Sequence, residues 1–196
     1  MSKRTTKRST KEERRREIVE AAMHEFGIGG LHGTPVEAIA ERAGVSLPYV
    51  FKLFGTKRAL FLEAVSSTFQ RTLAVLRKTA AEARPNASAD EILVKMGVAY
   101  AKLLDDDREV LLMHLQAHAA AEDGEVRKAV WEELAGLVNL VRSTSGASDE
   151  AIIPWLAVGM LTKAAAALSS TSSTRTGPSV QWPLASRAPC RLQSGS

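Results

Sequence analysis

One cysteine, Cys190, stands in 196 residues, so no intramolecular disulfide can form and nothing points to an oxidising compartment. Aromatic residues make up only 5% of the chain while Ala and Leu abound, a balance that favours helices over sheets. No alternating strand pattern and no repeat of fixed period is present. Long apolar runs are absent too. The longest near the end, Ala151 to Thr162, contains Pro154 and is too short to cross a bilayer. The basic start runs into Glu12, Glu13 and Arg14–Arg16 instead of an apolar segment, so no secretory leader is expected. A nucleophile–base pair, a phosphate-cradling Gly loop and a zinc motif are all missing. The expectation is a cytoplasmic, non-membrane protein that is not an enzyme and has no cofactor and no metal.

What is present suffices for a core: 45% hydrophobic and 24% charged residues. The net charge of +4 hides an asymmetry. Residues 1–58 hold 12 Lys/Arg against 7 Asp/Glu, whereas residues 59–196 hold 14 against 15. A basic end on a near-neutral body suits a polyanionic partner.

Residues 1–11 lack apolar side chains after Met1 and are expected to form a disordered basic arm. From Glu12 a helical pattern begins, with Ile18, Ala22 and Phe26 on one stripe and Gly27, Gly29 and Gly30 expected to end it. Thr34-Pro35-Val36-Glu37 reads as a capping box opening a second helix, which Ala43-Gly44-Val45 closes. Ser46 caps a third, with Pro48 in its first turn, Val45 and Val50 as a staple, Phe51 and Phe54 inside and Gly55 at its end. Three short helices with a Gly-containing turn between the second and third describe a helix-turn-helix domain over 12–58. Amphipathic helices follow over 56–82, 88–105, 107–121, 124–143 and 148–168, giving a second helical domain over 59–168. In residues 169–196, Ser, Thr, Gly or Pro fill 16 of 28 positions, which reads as a disordered tail.

A recognition helix needs a small cap, an apolar inner face and outward side chains that enter the major groove. Ser46, Leu47, Pro48, Tyr49 and Lys52 occupy those outward positions, and Lys57 and Arg58 follow at the helix end. Eight further basic residues lie in Lys3–Arg16. Cations on phosphates supply affinity without sequence information, so base reading falls to Leu47, Pro48, Tyr49 and Lys52.

Residues 16–61 resemble the N-terminal domain of TetR-family regulators. The shared pattern runs through Arg16, Ile18, Ala21, Ala22 and Phe26, then Thr34, Val36, Ile39, Ala40, Ala43, Gly44, Val45 and Ser46, and ends on Phe54, Lys57, Leu60 and Phe61. Pro35, Phe51 and Leu53 stand where that family commonly has Thr, Tyr and His, which shifts the expected contacts toward Thr34, Tyr49, Lys52 and Lys57. The resemblance implies an all-α homodimer whose last two helices pack against their copies. Val130, Leu134, Leu137, Val138 and Val141, then Ile152, Leu156, Met160 and Leu161, are the positions expected to face inward there. It also implies a repressor that holds double-stranded DNA at a palindromic operator and leaves it on binding a small-molecule ligand.

Candidates for lining a ligand cavity are Tyr100, Met113, His114, His118, Trp131 and Trp155. Taken singly, Tyr100, Met113, Trp131 and Trp155 are more often ordinary core residues; the set is what points to a cavity. His114 and His118, four apart on one helical face, would suit a metal only with further ligands, and Asp105–Asp107 reads as a turn and helix cap instead.

Overall fold

The computed structural model describes residues 10–169, and every regular element among them is helical. In order these are α1 (Lys11–Gly33), α2 (Val36–Arg42), α3 (Leu47–Phe54), α4 (Lys57–Ala81), α5 (Ala89–Asp106), α6 (Arg108–Ala119), α7 (Gly124–Ser145) and α8 (Asp149–Leu168). The expected arm and tail fall, for residues 1–9 and 170–196, outside the described residues.

Helix α1 starts earlier than its apolar stripe suggests. Thr10 caps it: its hydroxyl accepts from the Glu13 amide at 3.1 Å, and the Glu13 carboxylate accepts from the Thr10 amide at 2.7 Å. The helix also runs past Gly27 and Gly29, where termination was expected, and breaks only at Gly30, with φ 67° and ψ −179°. A side chain there would be strained, and its Cβ would lie 2.7 Å from Gln116 Oε1. Downstream of that break the chain turns back, and Thr34 closes α1 rather than capping α2. The Thr34 hydroxyl donates to the Glu25 carbonyl at 3.1 Å, while Pro35 takes the cap position without a side-chain bond.

Two packing centres share α4. Toward the N-terminal helices, Ile18, Ala22, Phe26, Ile39, Val50, Leu60 and Phe61 are buried together, with Phe26 and Phe61 edge-to-face at 5.1 Å. Farther along, Phe69, Leu73 and Leu76 face α5, α6 and α7. A boundary at 58/59 therefore falls inside the first turn of one continuous helix. Thr56 caps that helix, its hydroxyl accepting from the Ala59 amide.

Asp107 fills the capping role expected of it, accepting from the Val110 amide at 3.0 Å, and also bonds Arg71 at 2.9 Å. The last helix corrects an expectation about length. At 20 residues, α8 is long and apolar enough to cross a membrane, but α5, α6 and α7 pack against one side of it. On α7 and α8, Val130, Leu137, Val141 and Ile152, expected to pack against a second copy, are buried in the core of the single chain instead. Ile153, Met160, Leu161 and Leu168 are the exposed apolar side chains of α8.

Candidate DNA interface and regulatory cavity

Helices α2 and α3 are joined by Ala43–Ser46, where Gly44 takes a positive φ of 64° that a side chain would resist. Gly55, at φ 76°, ends α3 as expected. Inside, Val50 and Phe54 anchor α3 to the core, and Leu47, Tyr49 and Leu53 are half-buried against it. Ser46, Pro48, Phe51 and Lys52 point to solvent. Phe51, expected in the core, is 40% exposed, because one residue past Val50 is a rotation of about 100° off the inner face. Ser46 holds the N-cap position without a side-chain capping bond, so its hydroxyl remains on the outer surface.

Several cations near this surface already have partners. Arg15 donates to the Leu53 carbonyl at 3.1 Å, pairs with Glu63 at 2.5 Å and lies 4.4 Å over the Phe54 ring, so it clamps α1, α3 and α4 together. Arg58 pairs with Asp123 at 2.8 Å and Glu125 at 3.2 Å, at the start of α7. Lys57 donates to the His32 carbonyl at 3.0 Å. Lys52 has no such bond among the described residues and is exposed. Thr34, expected among the contacts, is 3% exposed with its hydroxyl committed to Glu25; it shapes the turn and does not present a donor to a phosphate.

Behind the N-terminal helices lies a cavity of about 420 Å³ walled by α4–α8. Of the six expected residues, Tyr100, His114, Trp131 and Trp155 line it, Trp131 at the rim with 67% exposure. Met113 does not: it is fully buried on another face of α6. His118 is also outside, its Nδ1–H donating to the His114 carbonyl at 2.6 Å within the same helix. Sequence reasoning missed Phe69, Thr72, Arg142 and Lys163, which join the wall. Lys163 carried a findable signal, since it follows Trp155 and Gly159 at helical spacing of four on the buried side of α8.

The polar groups of the cavity are unevenly satisfied. Trp155 Nε1 donates to the Leu93 carbonyl at 2.8 Å, and Arg142 is held by Asp149 at 2.6 Å. His114 Nε2 lies 3.0 Å from the Thr72 hydroxyl, which donates to the Thr68 carbonyl, so the imidazole N–H is assigned to Nε2. His114 Nδ1 is then a buried lone pair without a partner among the described residues. Burial, then the nearby charges of Lys163 and His118, hold the His114 pKa well below the ordinary value, and the ring is neutral. Burial also pushes the Lys163 ammonium down from 10.5 to about 8. Among the described residues, no group of three His, Cys, Asp or Glu could hold a metal ion.

The cavity and the N-terminal helices are mechanically joined. Arg71 of α4 bonds Glu20 of α1 and Asp107 at the start of α6. His24 Nδ1 lies 2.8 Å from Glu109, and Gln116 Nε2 donates to the Gly27 carbonyl at 3.4 Å. A Cβ on Gly27 would stand 3.2 Å from that of Leu112, so α1 and α6 meet closely there. His114, on that same α6, forms part of the cavity wall.

The family of bacterial regulatory proteins named for TetR matches residues 18–64, from the first buried residue of α1 into α4. Over those residues the chain is similar to the TetR family's N-terminal DNA-binding domain. A curated relative, an uncharacterised helix-turn-helix transcriptional regulator of Bacillus subtilis called YdgC, is 25% identical over 100 residues. That match takes in 50% of this chain and spans about half the length of the relative, 51%. Solved structures share the fold over most of the chain. A TetR-like regulator of Rhodococcus sp. RHA1 superposes with a TM-score of 0.64 at 21% identity, covering 81% of this chain and 85% of its own. A TetR-family regulator of Mesorhizobium loti does so at 0.61 and 24%, covering 86% and 89%. The multidrug-binding protein EbrR, solved with imidazole, superposes at 0.60 and 22%, covering 82% and 84%.

Proposed function

We propose that this chain is a TetR-family transcriptional repressor, not an enzyme, that grips a palindromic operator as a homodimer and lets go when a small molecule enters the cavity. The observation that carries the DNA-binding part is the outer surface of α3, where Pro48, Phe51 and Lys52 project from a helix whose other side is fixed by Val50 and Phe54. Tyr49 and Leu47 lie at the edge of that surface, and Ser46 and Lys57 stand at its two ends as candidate phosphate partners. A polar donor is scarce on α3, so base reading would rest mainly on apolar contacts, including thymine methyl groups.

Homodimerisation is supported by the exposed apolar residues Ile153, Met160, Leu161 and Leu168, which recur along one side of α8, with Trp131 exposed on α7. Two such protomers would set their recognition helices about 34–36 Å apart, one DNA turn. Release by ligand is supported by the cavity itself and by the bonds that tie α6 to α1; EbrR, of the same fold, is a multidrug-binding protein. A ligand against His114 would bias α6 between positions with different helix spacing. A cytoplasmic location follows from this role.

Gel shifts on genomic fragments, followed by footprinting of the tightest, test the proposal. Two protected half-sites with dyad symmetry are expected. Salt-sensitive binding to every fragment alike, without half-sites, refutes a specific regulator.

A further inference from the structure

Which molecule the cavity accepts is legible in what its wall lacks. Among the described residues, no Asp or Glu lines it. Arg142 is neutralised by Asp149, and His114 is uncharged, so Lys163 is the one unpaired cation among the described lining residues. Lys163 is 5% exposed, and no carboxylate or carbonyl among the described residues bonds it. An ammonium enclosed by an apolar wall and left without a protein partner is unfavourable unless water or a ligand in the cavity completes it. Tyr100 points the same way, since its hydroxyl also has no hydrogen-bond partner among the described residues. Both flank one group. The Tyr100 ring lies 6.3 Å from that of His114, and Lys163 is near enough to disfavour the protonation of His114. Around them the wall is apolar: Phe69, Leu134, Trp155 and Leu156.

We infer that the cavity is a receptor for an amphipathic monoanion, its carboxylate held by Lys163 and Tyr100 and its hydrocarbon body lying against Phe69, Leu134 and Trp155. This rests on the reading of the cavity as a ligand site, and it adds charge and class to that reading. One unpaired cation matches one negative charge; a dianion would bring a second charge without a partner, and a cation would meet Lys163 directly.

Calorimetric titration of the full chain with decanoate, decanol and decylamine separates these cases. Decanoate is expected to bind at least about tenfold more tightly than decanol, the scale of a hydrogen bond to a charged group. Lys163→Met should erase that preference while leaving decanol affinity unchanged, and Lys163→Arg should keep it. Equal affinities of decanoate and decanol for the wild-type chain overturn the inference, as does a preference that survives Lys163→Met. Adding decanoate to the operator gel shift keeps the two proposals apart. Binding that depends on Lys163 without loss of the DNA complex sustains the monoanion site and refutes release by that ligand. Failure of decanoate to bind preferentially removes the monoanion site and leaves operator recognition intact.

Discussion

Replacing Lys163 by Met should make the unliganded protein more stable, although it deletes a charged residue conventionally regarded as solubilising. Methionine has a similar unbranched stem and no charge, so the packing against α5 and α6 is largely retained. In the unfolded chain the ammonium titrates near 10.5, and in the folded protein burial brings it to about 8. Between those values the unfolded state binds more protons than the native state, so stability rises with pH through the window. Below about pH 8 both states are charged, and the native state bears the full burial penalty. At about 1.4 kcal/mol for each unit of pKa, that penalty has a ceiling of about 3.5 kcal/mol, reduced by whatever water enters the cavity. Lys163→Met is therefore expected to add about 1–3 kcal/mol at pH 7 and to show no gain at pH 10.5. Urea unfolding of both proteins, followed by circular dichroism from pH 7 to 10.5 at one protein concentration, measures this difference. The surface lysines titrate alike in both and cancel. Parallel stability curves for the two proteins across pH 8 to 10.5 would show that Lys163 is not desolvated, and the reasoning would fail.

Phe26→Ala removes the ring that meets Phe61 at the centre of the N-terminal core, and should cost about 3–5 kcal/mol in denaturant unfolding. Lys52→Ala should weaken binding to all DNA and reduce the slope of log affinity against log salt by about 1, whereas Phe51→Ala should reorder the preferred fragments; competition binding at several salt concentrations distinguishes the two. If α8 forms the proposed dimer face, Leu161→Glu places a charge on its exposed side and should yield a monomer by light scattering with the helical circular dichroism unchanged.

Much of this architecture is visible in local chemistry. The helices from α4 onward begin and end within a few residues of the breaks marked by Pro85, Asp105–Asp107, Asp123-Gly124 and Ser143–Ser148, because caps and turn residues act locally. Gly44 and Gly55 likewise declare their turns. Thr34 shows where local signals mislead: its spacing from Glu37 suits a capping box, but the reversal at Gly30 delivers its hydroxyl to Glu25 instead. The cavity was half legible. His114 faces it, while neighbouring Met113 is rotated away, a distinction that depends on how α6 is docked rather than on residue type. Lys163 escaped because a lysine in an apolar stretch reads as a solvated head on a long stem, which outweighed its spacing of four from Gly159 and Trp155; the packing of α8 encloses it.

Because α4 passes unbroken from the N-terminal core to the cavity wall, the protein has no flexible joint along that route. Its 25 residues form a rod about 37 Å long. A tilt of only about 5° about one end carries the other by about 3 Å, close to the rise of one base pair along a DNA strand. If α3 reads a groove as proposed, displacements at Phe69 and Thr72 too small to alter any fold-level description would be enough to put it out of step.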